Sequence, residues 1–131
     1  MKIRLCNLEN FRNIEAASLS FAGNRVFLHG LNGQGKSNLL EALGLLHAVR
    51  SFRTADLRPL VRKGQARTRV YYEVENGSGR DEKILIDVKR AGGRDVSVNG
   101  EKCPSLGDFL ARFPCMVLAA DDISVVRGSP A

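Results

Sequence analysis

A glycine-rich octapeptide constrains the fold of this chain more than any other feature. Residues 30–37 read G-L-N-G-Q-G-K-S and match the pattern G-x-x-x-x-G-K-[ST] at every fixed position. A short apolar run precedes the octapeptide at residues 26–28, and leucines recur at three- and four-residue spacings over residues 36–49. This order of buried strand, glycine-rich turn and amphipathic helix predicts an α/β fold built around a phosphate-binding loop.

The octapeptide also predicts binding of a nucleoside triphosphate. Glycines allow successive backbone N–H groups to surround phosphate oxygens, and the following helix adds the positive end of its dipole. In such loops the lysine, here Lys36, neutralises the β- and γ-phosphates, and the hydroxyl of Ser37 ligates Mg²⁺. We therefore expect ATP and Mg²⁺ as cofactors. The expected nucleotide contacts are Gly30, Leu31, Asn32, Gly33, Gln34, Gly35, Lys36, Ser37 and Asn38.

The other segments predict one lobe over the whole chain. Alternating apolar and polar residues indicate strands in the second half, and Asn99-Gly100 is a strong signal for a hairpin turn. Ser105 is the expected cap of a short helix. In chain order, we expect a phosphate-binding strand and helix at 26–49, a basic connecting segment at 50–69, an antiparallel β meander at about 69–103, and a closing helix and strand at 105–128.

Composition narrows the class of protein. The 131 residues are enough for one domain, and the net charge of +6 favours polyanionic partners such as nucleic acid. No apolar run approaches the ~20 residues of a membrane span, and the N-terminus lacks the apolar core of a signal peptide. We therefore expect a cytoplasmic protein with no membrane partner. Cys6, Cys103 and Cys115 are widely spaced, which disfavours a zinc site and a disulfide framework.

A basic stretch lies between residues 50 and 69, where the only acid is Asp56. Arginines and lysines that neutralise backbone phosphates release counterions, so this stretch could follow a DNA backbone. A solvated loop with some arginines in ion pairs explains the composition equally well, and the sequence does not decide between the two. The candidate DNA contacts are Arg50, Arg53, Arg58, Arg62, Lys63 and Arg67.

Further motifs accompany the phosphate-binding loop. The sequence reads N-F-R-N at 10–13, and the loop extends into G-L-N-G-Q-G-K-S-N-L-L-E-A at 30–42. Three later motifs are R-S-F-R-T at 50–54, V-N-G at 98–100, and D-D-I followed by V-R-G-S-P at 121–130. The first two resemble the SMC-like ATPases, which are relatives of ABC ATPases. The last three narrow the resemblance to the RecF family, and all five follow the family order along the chain.

This resemblance implies both a fold and a function. The fold is lobe I of an ABC-type P-loop NTPase with an antiparallel β subdomain. RecF proteins bind DNA near single-strand/double-strand junctions, form an ATP-dependent homodimer and act with RecO and RecR to load recombinase in DNA repair. Arg12 matches an arginine that lies near the nucleotide phosphates in SMC-like ATPases.

The family chain is well over twice as long as this one, and its second lobe carries the ABC signature and the Walker B acids. The resemblance therefore implies an N-terminal lobe with no catalytic residue of its own. We expect such a lobe to bind ATP without turning it over.

Two other interpretations stay open. An apolar run that ends in Asp121-Asp122 imitates a Walker B strand, whose acid holds Mg²⁺, and this would make the chain a self-sufficient small P-loop kinase or NTPase. The resemblance instead favours a loop or helix-cap role for these acids. The third interpretation is a nucleotide- or DNA-binding module that never hydrolyses ATP.

Overall fold

The computed structural model describes residues 2–23, 36–51, 53–77 and 79–113. The predicted strand at 26–28, loop residues 30–35 and the segment at 116–130, including Asp121 and Asp122, lie outside these ranges. The described elements are β1 (Lys2–Phe11), β2 (Ile14–Ser20), α1 (Lys36–Gly44), a 3₁₀ turn (Arg58–Leu60), β3 (Arg67–Glu75), β4 (Asp81–Lys89), β5 (Arg94–Val98), β6 (Glu101–Lys102) and α2 (Leu106–Arg112).

The described strands form one antiparallel sheet in the order β2-β1-β3-β4-β5-β6. The β3–β6 meander and the β1–β2 hairpin therefore belong to one sheet, because β1 pairs with β3. Cys6 lies opposite Tyr72 and Leu8 opposite Val70 in this pairing. All four of these side chains are buried. Burial of Cys6 raises the pKa of its thiol to about 12, so the group stays protonated at neutral pH.

The hairpin at Asn99-Gly100 is confirmed. It joins β5 to β6, with Val98 opposite Glu101, and both turn residues have positive φ, 53° for Asn99 and 84° for Gly100. Two-residue turns of this kind match the twist of the flanking strands and favour Asn-Gly for its tolerance of positive φ. The Asn99 side chain also accepts a hydrogen bond from the backbone N–H of Lys83 at 3.0 Å.

The core lies on one face of the sheet. Strands β3 and β4 alternate buried and half-buried side chains, as a strand with one covered face must. The covering elements are α1 with the turns that follow it, and α2, whose Phe109 packs against Phe113 with 5.3 Å between ring centroids. Within the described ranges no helix has the length and apolar character needed to cross a bilayer.

Helix α1 is shorter than predicted, because it ends at Gly44 and the sequence suggested a helix to residue 49. Glycine is a poor helix former, and the carbonyl of Ala42 accepts a hydrogen bond from the buried Tyr72 hydroxyl. The chain continues in tighter turns and then takes positive φ at Ala48 and Val49, 59° and 52°. Arg94 Nη1 donates to the Val49 carbonyl at 3.0 Å and supports this strained turn.

The cap of α2 and the end of the basic connecting segment were also predicted from the sequence. Ser105 caps α2 as expected, since its hydroxyl accepts a hydrogen bond from the Asp108 N–H at 3.1 Å. The basic connecting segment ends earlier than residue 69, because β3 already begins at Arg67 and pairs it with Lys89 of β4. Arg67 is therefore part of a regular strand.

Candidate phosphate-binding site

The N-terminal turn of α1 carries Lys36 and Ser37, the two residues of the predicted loop whose side chains are expected to contact phosphate and Mg²⁺. Lys36 and Ser37 open the helix, Ser37 is exposed, and the first turn contains no acidic residue. A helix start offers unpaired N–H groups and the positive end of the dipole, and both attract phosphate. Lys36 and Ser37 are the first described residues of α1, and their contacts with nucleotide stay a prediction.

One turn further along α1, Glu41 is a fully buried carboxylate. Ser37 and Glu41 are four residues apart and therefore lie on the same face of the helix. Glu41 Oε2 accepts from Arg12 Nη2 at 2.9 Å, and its two oxygens also accept from Arg12 Nε, the Ser51 hydroxyl and Arg53 Nη1. An ionised carboxylate tolerates such burial only when charged partners and hydrogen bonds compensate for lost water.

Arg12 reaches Glu41 from the turn between β1 and β2. The turn is fixed by two backbone hydrogen bonds, Arg12 N–H to the Leu60 carbonyl at 2.7 Å and Arg62 N–H to the Asn10 carbonyl at 2.9 Å. Arg12 itself has φ 50°, unusual for a non-glycine residue. The hydrogen bond with Glu41 raises the pKa of the guanidinium, so Arg12 stays fully charged.

A second set of hydrogen bonds joins this turn to α1. Asn38, in the first turn of α1, donates its side-chain N–H to Asn13 Oδ1 at 2.7 Å and accepts from Arg53 Nη1 at 2.7 Å. The N-F-R-N motif and the start of the phosphate helix are therefore in direct contact. Arg12 and Asn38, both predicted nucleotide contacts, lie beside the first two turns of α1.

The R-S-F-R-T motif also converges on Glu41. The Ser51 hydroxyl donates to the carboxylate and accepts from the N–H of Arg53 at 3.0 Å. Arg53, a candidate DNA contact, directs its guanidinium to Asn38 and Glu41. Sequence reasoning gave no role to Glu41 and treated the neighbouring leucines as the buried stripe. In the structure Leu40 is 46% exposed, whereas Glu41 is fully buried.

The other candidate DNA contacts fall into two groups. Arg58 and Arg67 pair with acids, Arg58 Nη2 with Asp56 at 2.7 Å and Arg67 Nη1 with Asp87 at 3.0 Å. The hydrogen bonds from the Arg58 side chain lower the pKa of Asp56, which keeps this exposed pair charged on both sides. Within the described chain no carboxylate pairs with the other three candidates, which are Arg50, Arg62 and Lys63.

An open cleft of about 610 Å³ brings Arg12, Arg62, Lys63 and Arg90 together, and none of its lining residues is acidic. We call this the basic cleft. Arg90 donates to the backbone carbonyls of Val61 and Arg62 at 3.0 and 2.8 Å, which orients its charge, and no carboxylate of the described residues pairs with it. Arg90 was not predicted, because it comes from the end of β4, far from the other members in sequence.

A second open cleft of about 600 Å³ lies at the R-S-F-R-T segment. Arg50, Arg53 and Arg94 contribute its basic groups, and none of its lining residues is acidic. Glu41 therefore anchors one arginine of each cleft, Arg12 in the basic cleft and Arg53 in this one.

No protein-family model matches the chain. The DNA replication and repair protein RecF of Synechococcus sp. (strain JA-3-3Ab) is 36% identical over 130 residues, which is 99% of this chain and 34% of the relative. RecF of Caldanaerobacter subterraneus subsp. tengcongensis is 35% identical over 94% of the chain and 34% of its own length.

A solved structure of the recombination mediator protein RecF with ATP matches with TM-score 0.85 and 34% identity, over 95% of this chain and 34% of that chain. This chain is homologous to RecF proteins. It spans about a third of the length of these relatives, as expected for the N-terminal lobe. An SMC ATPase structure matches with TM-score 0.82 at 18% identity, over 99% of this chain and 93% of that one, and shows the shared ABC-type head fold.

Proposed function

We propose that this chain is the ATP-binding lobe of a RecF-like DNA-repair ATPase. The observation that carries the proposal is the start of α1 at Lys36-Ser37, the end of the G-x-x-x-x-G-K-S pattern, in a fold that matches ATP-bound RecF. The triphosphate binds at this helix start, and Lys36 neutralises the β- and γ-phosphates. Arg12, fixed beside the first two turns of α1, is the second cation of the site.

Mg²⁺ fits the same position. Ser37 presents an exposed hydroxyl at the helix start, and Mg²⁺ takes oxygen ligands together with phosphate oxygens and water. Held by the Ser37 hydroxyl, the ion would reduce the negative charge of the phosphates. In this proposal the residues of the chain bind and orient the nucleotide, and they do not by themselves activate water.

Replacing Lys36 with alanine should weaken ATP binding at least tenfold, about 1.4 kcal/mol or more, because a charge that faces the phosphates is lost. Isothermal titration calorimetry with ATP and Mg²⁺ measures this directly. Lys102→Ala is the matched control, since Lys102 is 77% exposed on the edge strand β6 and should not alter the affinity. Equal affinities for wild type and Lys36→Ala would show that the nucleotide site lies elsewhere.

ATP turnover by this chain alone should be negligible. Hydrolysis in this class needs a metal-holding acid and a positioned water, and the family resemblance assigns both to the second lobe. A steady-state phosphate-release assay should therefore give the rate of the buffer blank. Turnover that Asp121→Asn or Asp122→Asn abolishes would favour the self-sufficient small NTPase instead.

We further propose DNA as a partner, bound through the basic cleft. The support for this proposal is that Arg62, Lys63 and Arg90 lie together in the cleft and pair with no carboxylate in the part of the chain that the structure describes. Arg58 and Arg67 contribute less to this surface, because their charges are already paired with Asp56 and Asp87. Preference for single-strand/double-strand junctions, ATP-dependent dimerisation and action with RecO and RecR belong to the same proposal and rest on the family resemblance.

A further inference from the structure

Glu41 connects three separate parts of the chain at the phosphate helix. It lies on α1 one turn after Ser37, and its carboxylate contacts Arg12 from the β1–β2 turn and Ser51 and Arg53 from the segment after α1. The carboxylate is fully buried, whereas the Arg12 side chain retains 22% of its exposure and the Arg53 side chain 38%. The acid is thus the internal anchor, and the two arginines extend from it toward solvent.

The charges at this anchor do not balance. Among the residues that the structure describes, one carboxylate faces two guanidinium groups, so one positive charge is in excess beside the first two turns of α1. The surplus charge, next to the helix start and Lys36, suits an anion such as phosphate.

The contact geometry determines where Arg12 points. Its Nε and Nη2 donate to the two oxygens of Glu41, a bidentate arrangement that fixes the plane of the guanidinium. Nη1 has no partner among the residues that the structure describes, so a donor is left for a ligand. Without the carboxylate the long side chain of Arg12 would return to many rotamers, and ordering it again would cost binding free energy.

We propose that Glu41 is a positioning residue for nucleotide binding and acts through Arg12. The proposal rests on the proposed binding of ATP at the start of α1. Glu41 does not touch the nucleotide; it holds the Arg12 guanidinium at one fixed orientation toward the phosphates. Its loss should therefore matter only while Arg12 is present.

A double-mutant cycle on ATP affinity tests this dependence. Glu41→Gln keeps the size and an acceptor oxygen but removes the charge, and it should weaken ATP binding roughly tenfold, as should Arg12→Ala. The double variant should be weaker than wild type by about the same tenfold, because residues that act as one unit are not additive. A loss near a hundredfold in the double variant would mean independent effects and would overturn the proposal, as would unchanged affinity for Glu41→Gln.

Glu82→Gln is the matched control. Glu82 is a largely buried carboxylate of β4, 16% exposed, that pairs with Arg112 of α2 at 3.1 Å. The Glu82→Gln variant should be less stable than wild type, but the folded variant should bind ATP with the affinity of wild type. An equal loss of affinity for Glu82→Gln would mean that any weakened ion pair lowers binding, and would also overturn the proposal.

A folding defect, failure of the proposed function and failure of the role of Glu41 are distinguishable. If Glu41→Gln does not fold, Glu41→Asp replaces it in the cycle, because aspartate keeps the charge while its shorter side chain cannot reach both guanidinium nitrogens of Arg12. If wild-type chain binds no ATP, the proposed function fails and this proposal with it. If wild type binds and the losses are additive, only the role of Glu41 is refuted.

Discussion

Tyr72→Ala should lower the free energy of unfolding by about 3–5 kcal/mol, which is the usual cost of removing a large buried aromatic side chain. Tyr72 is fully buried. It lies on the central strand β3, which pairs with β1 on one side and with β4 on the other. Its hydroxyl also donates to the Ala42 carbonyl of α1. The substitution would therefore remove core volume and one connection between the sheet and the phosphate helix.

Tyr72→Phe separates these two contributions. It keeps the ring and leaves the buried Ala42 carbonyl without the hydroxyl, which should cost about 1–3 kcal/mol. Tyr71→Ala is the matched control, because the neighbouring tyrosine lies on the opposite face of the same strand and is only half-buried. We expect Tyr71→Ala to cost clearly less than Tyr72→Ala.

Urea unfolding followed by circular dichroism measures all three variants. Similar losses for Tyr71→Ala and Tyr72→Ala would contradict the assignment of the core to the face that carries Tyr72. A loss for Tyr72→Phe close to that for Tyr72→Ala would place most of the stabilisation in the hydrogen bond to α1 and little in the packing of the ring.

The second large effect concerns the salt dependence of DNA binding. Replacing Arg62 and Lys63 together with alanine should flatten the slope of log affinity against log salt by roughly two units, since each duplex phosphate neutralised contributes about −0.9. Both residues line the basic cleft and have no carboxylate partner within the described chain. Sequence preference should be slight, because phosphate contacts do not read bases.

The matched control also removes two positive charges, but from arginines that are paired with carboxylates. Arg58 and Arg67 are paired with Asp56 and Asp87, so the variant with both replaced by alanine should keep a slope close to that of wild type. Fluorescence anisotropy on junction DNA, titrated from low to physiological salt, compares the two. Equal slopes for wild type and the Arg62/Lys63 variant, or flattening by the control variant alone, would show that DNA does not bind in the basic cleft.

Local sequence patterns predicted the features whose physical cause is local. The turn at Asn99-Gly100 follows from the tolerance of these two residues for positive φ, and Ser105 caps α2 through a bond to a residue three positions away. The loop pattern likewise predicted a helix after the loop, and Lys36–Gly44 is helical. The motifs also gave the resemblance to RecF proteins, since they follow the family order along the chain.

Tertiary structure decided which charges are paired and which elements share a sheet. Arg12 and Glu41 meet across a long stretch of chain, and Arg90 joins Arg62 and Lys63 only because β4 ends beside the turn that carries them. The N-terminal hairpin pairs with β3, and no glycine or proline marks its turn at Arg12-Asn13. Composition counts a basic residue in the same way whether it is exposed or paired with an acid. The sequence therefore determined the phosphate-binding pattern and the number of cations. Packing determined which of these cations remain available for an anion.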